Sequence, residues 1–98
     1  MLIEKTIENG KAALALDGRL DTLTSPDLDE ALEALPEEAE ELVMDFSKLT
    51  YVSSAGLRVL LRAHKKMMTK GGFKLINVND TVKEIFDVTG FSEILTIE

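Results

Sequence analysis

The chain has 98 residues, of which 45% are hydrophobic and 30% charged, a composition that supports one small core and not two. Its formal net charge of −7 argues against a nucleic-acid backbone or an anionic membrane surface as partner. Cysteine is absent, which excludes disulfides, thiolate catalysis and Cys-based zinc sites.

Charge appears as early as Glu4 and Lys5, too soon for a signal peptide, and no apolar run approaches the ~18 residues of a membrane span, so a soluble cytoplasmic protein is expected. Leu2–Ile7 and Lys11–Leu16 read as strands. Asn9-Gly10 between them supplies the positive φ values of a type I′ hairpin, so the two should pair antiparallel. Asp17-Gly18-Arg19-Leu20-Asp21-Thr22 reads as a loop. Ser25-Pro26-Asp27 then opens a helix, with a capping serine, a proline at the first helical position and an acid facing the dipole. Leu28, Ala31, Leu32 and Leu35 give it a buried stripe, and Pro36 ends it. Glu37-Glu38-Ala39-Glu40-Glu41 reads as a solvated acidic connector.

Leu42-Val43-Met44-Asp45-Phe46 is a nearly continuous apolar run, as expected of an interior strand in a parallel sheet. The chain from Leu49 to Leu61 carries an extended segment into two serines that open an amphipathic helix. Leu57, Leu60, Leu61, His64 and Met68 recur at helical spacing and predict its buried stripe. Ser53 or Ser54 is placed as its N-cap, and that end would welcome an added anion such as phosphate. Gly71-Gly72 stops the helix. Phe73–Val78 reads as another strand. Asn79 or Asp80 caps a third helix whose Val82, Ile85, Phe86 and Thr89 face inward, with Gly90 at its C′ position. Ile94–Ile97 predicts a short final strand.

The order ββαβαβαβ makes residues 1–98 a single α/β domain, its sheet mixed but mainly parallel. Right-handed crossovers between strands laid side by side put all three helices on one face. Sites in such sheets gather at the C-terminal ends of the parallel strands, so the loop Asp17–Thr22 and the segment Val52–Gly56 should meet on one rim.

Few residues there suggest chemistry. Ser54 as a nucleophile needs a base, but the one histidine, His64, lies roughly 15 Å along the same helix, and Gly-x-Ser-x-Gly is absent. His64 alone, without a second histidine or cysteine, reads as a packed side chain rather than a metal ligand. Asp17, Asp21 and Asp45 match no calcium loop. Met67 and Met68 read as core filler. Arg58, Arg62, Lys65 and Lys66 form a basic face, and Arg58 stands one turn after Ser54. On this chemistry alone, Ser53-Ser54 is either a structural cap or a functional site.

Thr50-Tyr51-Val52-Ser53-Ser54-Ala55-Gly56-Leu57-Arg58-Val59-Leu60-Leu61 closely resembles the signature of STAS domains, and among them that of the bacterial anti-sigma factor antagonists. Gly18-Arg19-Leu20-Asp21, Asp45-Phe46-Ser47-Lys48-Leu49 and Thr89-Gly90-Phe91 extend the resemblance over essentially the whole chain. The resemblance implies a mixed sheet with helices packed on one face, no cofactor and no enzyme activity. It also implies a serine phosphorylated by a partner that is both anti-sigma factor and ATP-dependent serine kinase, and a serine phosphatase that reverses the change. That serine, two before the motif glycine Gly56, falls on Ser54. Ser53 stands where the family commonly has Asp and so competes as acceptor, and Ala55 replaces a frequent Ser or Thr.

The docking rim so implied consists of Asp21, Thr22, Leu23, Thr24 and Ser25 together with Ser53, Ala55, Gly56, Leu57 and Arg58. Unphosphorylated, it would bind the kinase and free a sigma factor. The alternatives are a STAS scaffold in another signalling or transport-linked complex, a small hydrolase using Ser54, and a passive module in which Ser54 only caps.

Overall fold

Asn9 and Gly10 take φ values of 50° and 80°, as a type I′ turn demands, and fold β1 (Leu2–Glu8) back on β2 (Lys11–Leu20). A computed structural model describes all residues from 1 to 98. After β2 come α1 (Ser25–Glu33), β3 (Glu41–Val52), α2 (Ser54–Met67), β4 (Gly72–Ile76), α3 (Asp80–Thr89) and a 3₁₀ turn at Phe91–Glu93. The four strands lie in chain order, β1-β2-β3-β4. β1 pairs antiparallel with β2, and the other two pairings are parallel.

Alternation decides which face of the sheet is covered. Ala12, Leu14, Leu16 and Leu20 of β2, with Leu42, Met44 and Phe46 of β3, join Leu28 and Leu32 of α1, Leu60 and Met67 of α2, and Val82 and Phe86 of α3 in one buried cluster. The rings of Phe46 and Phe86 stack tilted, 6.2 Å between centroids, and bind α3 to the sheet centre. Each such side chain contributes about 1.5–3 kcal/mol by leaving water. On the opposite face Glu4 is exposed, Ala13, Ala15 and Asp45 are half-buried, and Val43 is buried. No helix is long and apolar enough to cross a membrane.

Several elements differ from the sequence expectation. Asp17-Gly18-Arg19-Leu20 is strand, not loop: β2 follows β3 as far as the Leu20–Val52 pair through two register shifts, between Ala15 and Asp17 and between Gly18 and Arg19. The turn-forming residues are absorbed in these irregularities, and Leu20 is fully buried. β3 is likewise longer than the apolar run, because Leu49 and Val52 continue the buried face. Ser25 is the first residue of α1 rather than its cap, and Ala31 is only half-buried.

In α2 the buried stripe is Gly56, Leu57, Val59, Leu60, Ala63 and Met67. Leu61 and His64 lie half-buried beside it, and Met68 is 67% exposed. The expected Leu57 and Leu60 are in the stripe, but Gly56, Val59, Ala63 and Met67 complete it in place of Leu61, His64 and Met68. In α3, Asn79 is the cap, accepting from the Val82 amide at 2.9 Å, and Gly90 closes the helix at φ 82°. Thr89 points outward and donates to the Ile85 carbonyl. β4 ends at Ile76 because Asn77 takes φ 57°. The final strand shrinks to a single parallel bridge between Leu75 and Ile97, since the amides of Ile94 and Leu95 turn back to the Phe91 carbonyl instead of joining the sheet.

Candidate functional site

β2 and β3 end side by side at Leu20 and Val52, and each hands over to a helix. The Leu20 carbonyl accepts from the Ser53 amide at 2.8 Å, which joins the two exits. The first turn of α2 then lies directly on the end of β2. A Cβ added at Gly56 would stand 2.7 Å from Leu20 Cγ and 3.0 Å from its carbonyl oxygen, so only glycine lets the backbones come this close.

The two serines divide their roles. Ser53, in extended conformation (φ −90°, ψ 175°), is the N-cap, and its Oγ accepts from the Gly56 amide at 3.3 Å. That satisfies one of the free first-turn donors. Ser54 is the first helical residue, and its side chain is exposed, with no hydrogen bond within the chain.

The neighbouring turn is saturated. Asp21 Oδ1 accepts from the amides of Leu23 (3.0 Å) and Thr24 (3.1 Å), an Asx-type arrangement. Thr24 Oγ1 accepts from the Asp21 amide at 2.9 Å and donates to the Arg19 carbonyl at 2.7 Å. The Ser25 hydroxyl donates to the Asp21 carbonyl. The Asp21 carboxyl is held below the usual carboxylate range chiefly by the Thr24 amide, then by the Leu23 amide, by the Thr24 hydroxyl, which lies 3.2 Å from Oδ1, and by the attraction of Arg19 3.8 Å away. The Arg19 guanidinium also lies 4.4 Å from the Tyr51 ring centroid, a cation–π contact. At the tip, Leu23 is 87% exposed.

The STAS domain family matches residues 3–98. The chain belongs to that family, among the anti-sigma factor antagonists. The anti-sigma-B factor antagonist of Bacillus subtilis is 32% identical over 81 residues, which span 82% of this chain and 74% of that protein. An anti-sigma factor antagonist from Mycobacterium paratuberculosis shares the fold at TM-score 0.86 and 22% identity, over 98% of this chain and 83% of the other. So does the Bacillus cell fate determinant SpoIIAA in its phosphorylated form, at TM-score 0.75 and 15% identity, over 99% and 91% of the two chains. Members of this family are binding modules, and the chain is not an enzyme.

On the rim of this STAS domain, Thr22, Leu23, Ser54 and Arg58 are exposed. Asp21, Thr24, Ser53 and Ala55 are half-buried, while Ser25, Gly56 and Leu57 are buried and shape the rim from beneath. A cleft of about 240 Å³ runs between α1 and α2, lined by Thr22, Ser25, Asp29, Ala55, Arg58 and Arg62. The basic face of α2 is only partly solvated. Arg62 grips Asp29 of α1 through two bonds, of 2.9 and 3.3 Å. Lys66 donates to the Leu32 carbonyl at 2.8 Å, and Lys70 reaches the carbonyls of Glu37 and Ala39. These contacts tie α2 to α1 and the connector behind it.

Asp17, Asp21 and Asp45 do not form a cluster. Asp45 accepts from the Ser47 amide (2.9 Å) and the Asn77 side chain (3.1 Å), the first of which does most to depress its pKa. His64 lies half-buried near the far end of α2. Sequence reading passed over Leu20, whose carbonyl links the two exits, and Arg19 with Tyr51. The signal for Leu20 was present in the alternation Ala12, Leu14, Leu16, then Leu20, which continues the strand's buried face through Gly18.

Proposed function

We propose that this STAS domain is a phosphorylation-switched antagonist of an anti-sigma factor, with Ser54 as the acceptor. One observation carries the reading: Ser53 does the capping, so the Ser54 hydroxyl is exposed and uncommitted beside a rigid turn that presents Leu23. In the unphosphorylated state this rim docks on an anti-sigma factor that is also a serine kinase, and the sigma factor is released. Leu23 supplies an apolar anchor, and the locked turn loses little conformational entropy on binding.

The kinase transfers the γ-phosphoryl group of ATP to Ser54 Oγ. A P–O bond forms, the β–γ anhydride breaks, and ADP and the hydroxyl proton leave. The product carries ≈ −1.5 to −2 charge at the first turn of α2, where the helix dipole and free amides tolerate it. The fold survives and the docking surface changes, because the dianion meets acidic or nucleotide groups on the kinase. A serine phosphatase resets the switch. Phosphorylated SpoIIAA supports the reading as a fold relative that exists in that state.

Incubation with the cognate kinase, ATP and Mg²⁺, followed by phosphopeptide mapping, tests the assignment. Wild type and Ser53→Ala should be labelled at position 54, and Ser54→Ala should not be labelled. Phosphate that persists in Ser54→Ala overturns the assignment, and a chain that no such kinase labels belongs to some other STAS complex.

A further inference from the structure

Three arginines stand at or next to the rim, and two of them are committed. Arg19 lies over Tyr51 and 3.8 Å from Asp21. Arg62 holds Asp29. Arg58 is exposed and makes neither an ion pair nor a side-chain hydrogen bond. It follows Ser54 by four residues on α2, so the two share one face, with about 5–6 Å between Cβ atoms. Helical side chains lean toward the N-terminus of their helix, so Arg58 reaches back over the turn that carries Ser54.

We propose that phosphorylated Ser54 pairs with Arg58 of the same chain. Phosphorylation then changes the rim twice: it adds a dianion and it withdraws the one guanidinium there that has no ion pair of its own. The inference deepens the reading of Ser54 as phosphoacceptor and rests on it. A planar guanidinium matches two phosphate oxygens at once, and an anion placed N-terminal to a cation at this spacing is the favourable order. Two carboxylates of the rim and its cleft are already engaged, Asp21 within its own turn and Asp29 by Arg62. Both groups of the pair are solvent-exposed, so it should be modest in strength and sensitive to salt.

The test uses the full chain with phosphoserine installed at position 54 by semisynthesis, so that no kinase is involved. In a ³¹P NMR titration at low salt, the second phosphate pKa should lie about 0.4 pH unit lower in the wild type than in Arg58→Gln. Arg58→Lys should recover part of that difference, and molar salt should erase it. The Arg58 Nε–H resonance should also move when phosphate is present. A phosphate pKa that Arg58→Gln leaves unchanged, or an Arg58 resonance indifferent to phosphate, overturns the pairing. Failure of the parent reading looks different: a kinase would then label a residue other than Ser54, whatever this titration shows.

Discussion

The two turns of the rim leave adjacent strands in the same direction and both enter helices, yet they are held by opposite means. The first, Asp21–Ser25, is fixed by a carboxylate that collects two amides, and every side-chain oxygen of Asp21, Thr24 and Ser25 near the backbone is engaged or part of that knot. The second is fixed by one neutral hydroxyl at 3.3 Å, by the Ser53 amide on the Leu20 carbonyl and by the fit of Gly56 against Leu20. Economy in the second turn leaves a hydroxyl over. Thr22 leaves an exposed, unbonded hydroxyl in the first turn as well, but only Ser54 stands in the first turn of a helix, where the dipole and free amides favour an added anion.

The sharpest way to break that comparison is Gly56→Ala. In an ordinary helix the change would stabilise by up to about 1 kcal/mol. Here the methyl group would meet Leu20 at 2.7 Å, and overpacking costs about 1–3 kcal/mol. Net destabilisation of up to about 2 kcal/mol is expected in urea denaturation. Hydrogen exchange at the Ser53 amide should also accelerate, because its bond to the Leu20 carbonyl is strained. A stabilised Gly56→Ala variant would show that the two exits are not pressed together as described.

Ser53→Ala should have the next largest effect, a loss of about 1 kcal/mol from removal of the cap, with Ser53→Asp retaining most of the wild-type stability. Equal stability of Ser53→Ala and wild type would place the cap elsewhere and remove the argument that leaves Ser54 free.

How far the sequence disclosed this arrangement depends on the range of the forces involved. The Asn9-Gly10 hairpin, a cap at Asn79 or Asp80 (it is Asn79) and the Gly90 stop rest on chemistry within a few residues, and all were legible to that extent. The extension of β2 through Asp17-Gly18 was not, because pairing with β3, some thirty residues on (Gly18 with Leu49), overrode local turn preference. The stripe of α2 was placed partly to one side: Leu57 and Leu60 were right, but Gly56, which lies against Leu20, and Ala63 are buried while Leu61, His64 and Met68 are not. For the rim, the meeting of the two strand exits and the two serines was legible. The Leu20 carbonyl that joins them is a backbone atom, and the Arg62–Asp29 clasp spans 33 residues, so neither leaves a mark in residue spacing.

The smallest effect separates the two turns by pH. Asp21 titrates below the ordinary carboxylate value, chiefly because the Thr24 amide bonds its ionised form. A group whose folded pKa is depressed stabilises the fold above its unfolded pKa of about 3.9, and that contribution fades as pH falls through the lower folded value. The stability gap between wild type and Asp21→Asn should therefore narrow as pH falls from about 5 toward the folded pKa. Asp45 and Asp87 are depressed as well, so Asp21→Asn should remove only part of the acid sensitivity of the chain. The gap between wild type and Ser53→Ala should stay flat over the same range, because a hydroxyl cap does not titrate there. Chemical denaturation of the three chains across that interval tests the contrast: parallel curves for Asp21→Asn would mean that the first turn is held by its shape and not by its charge.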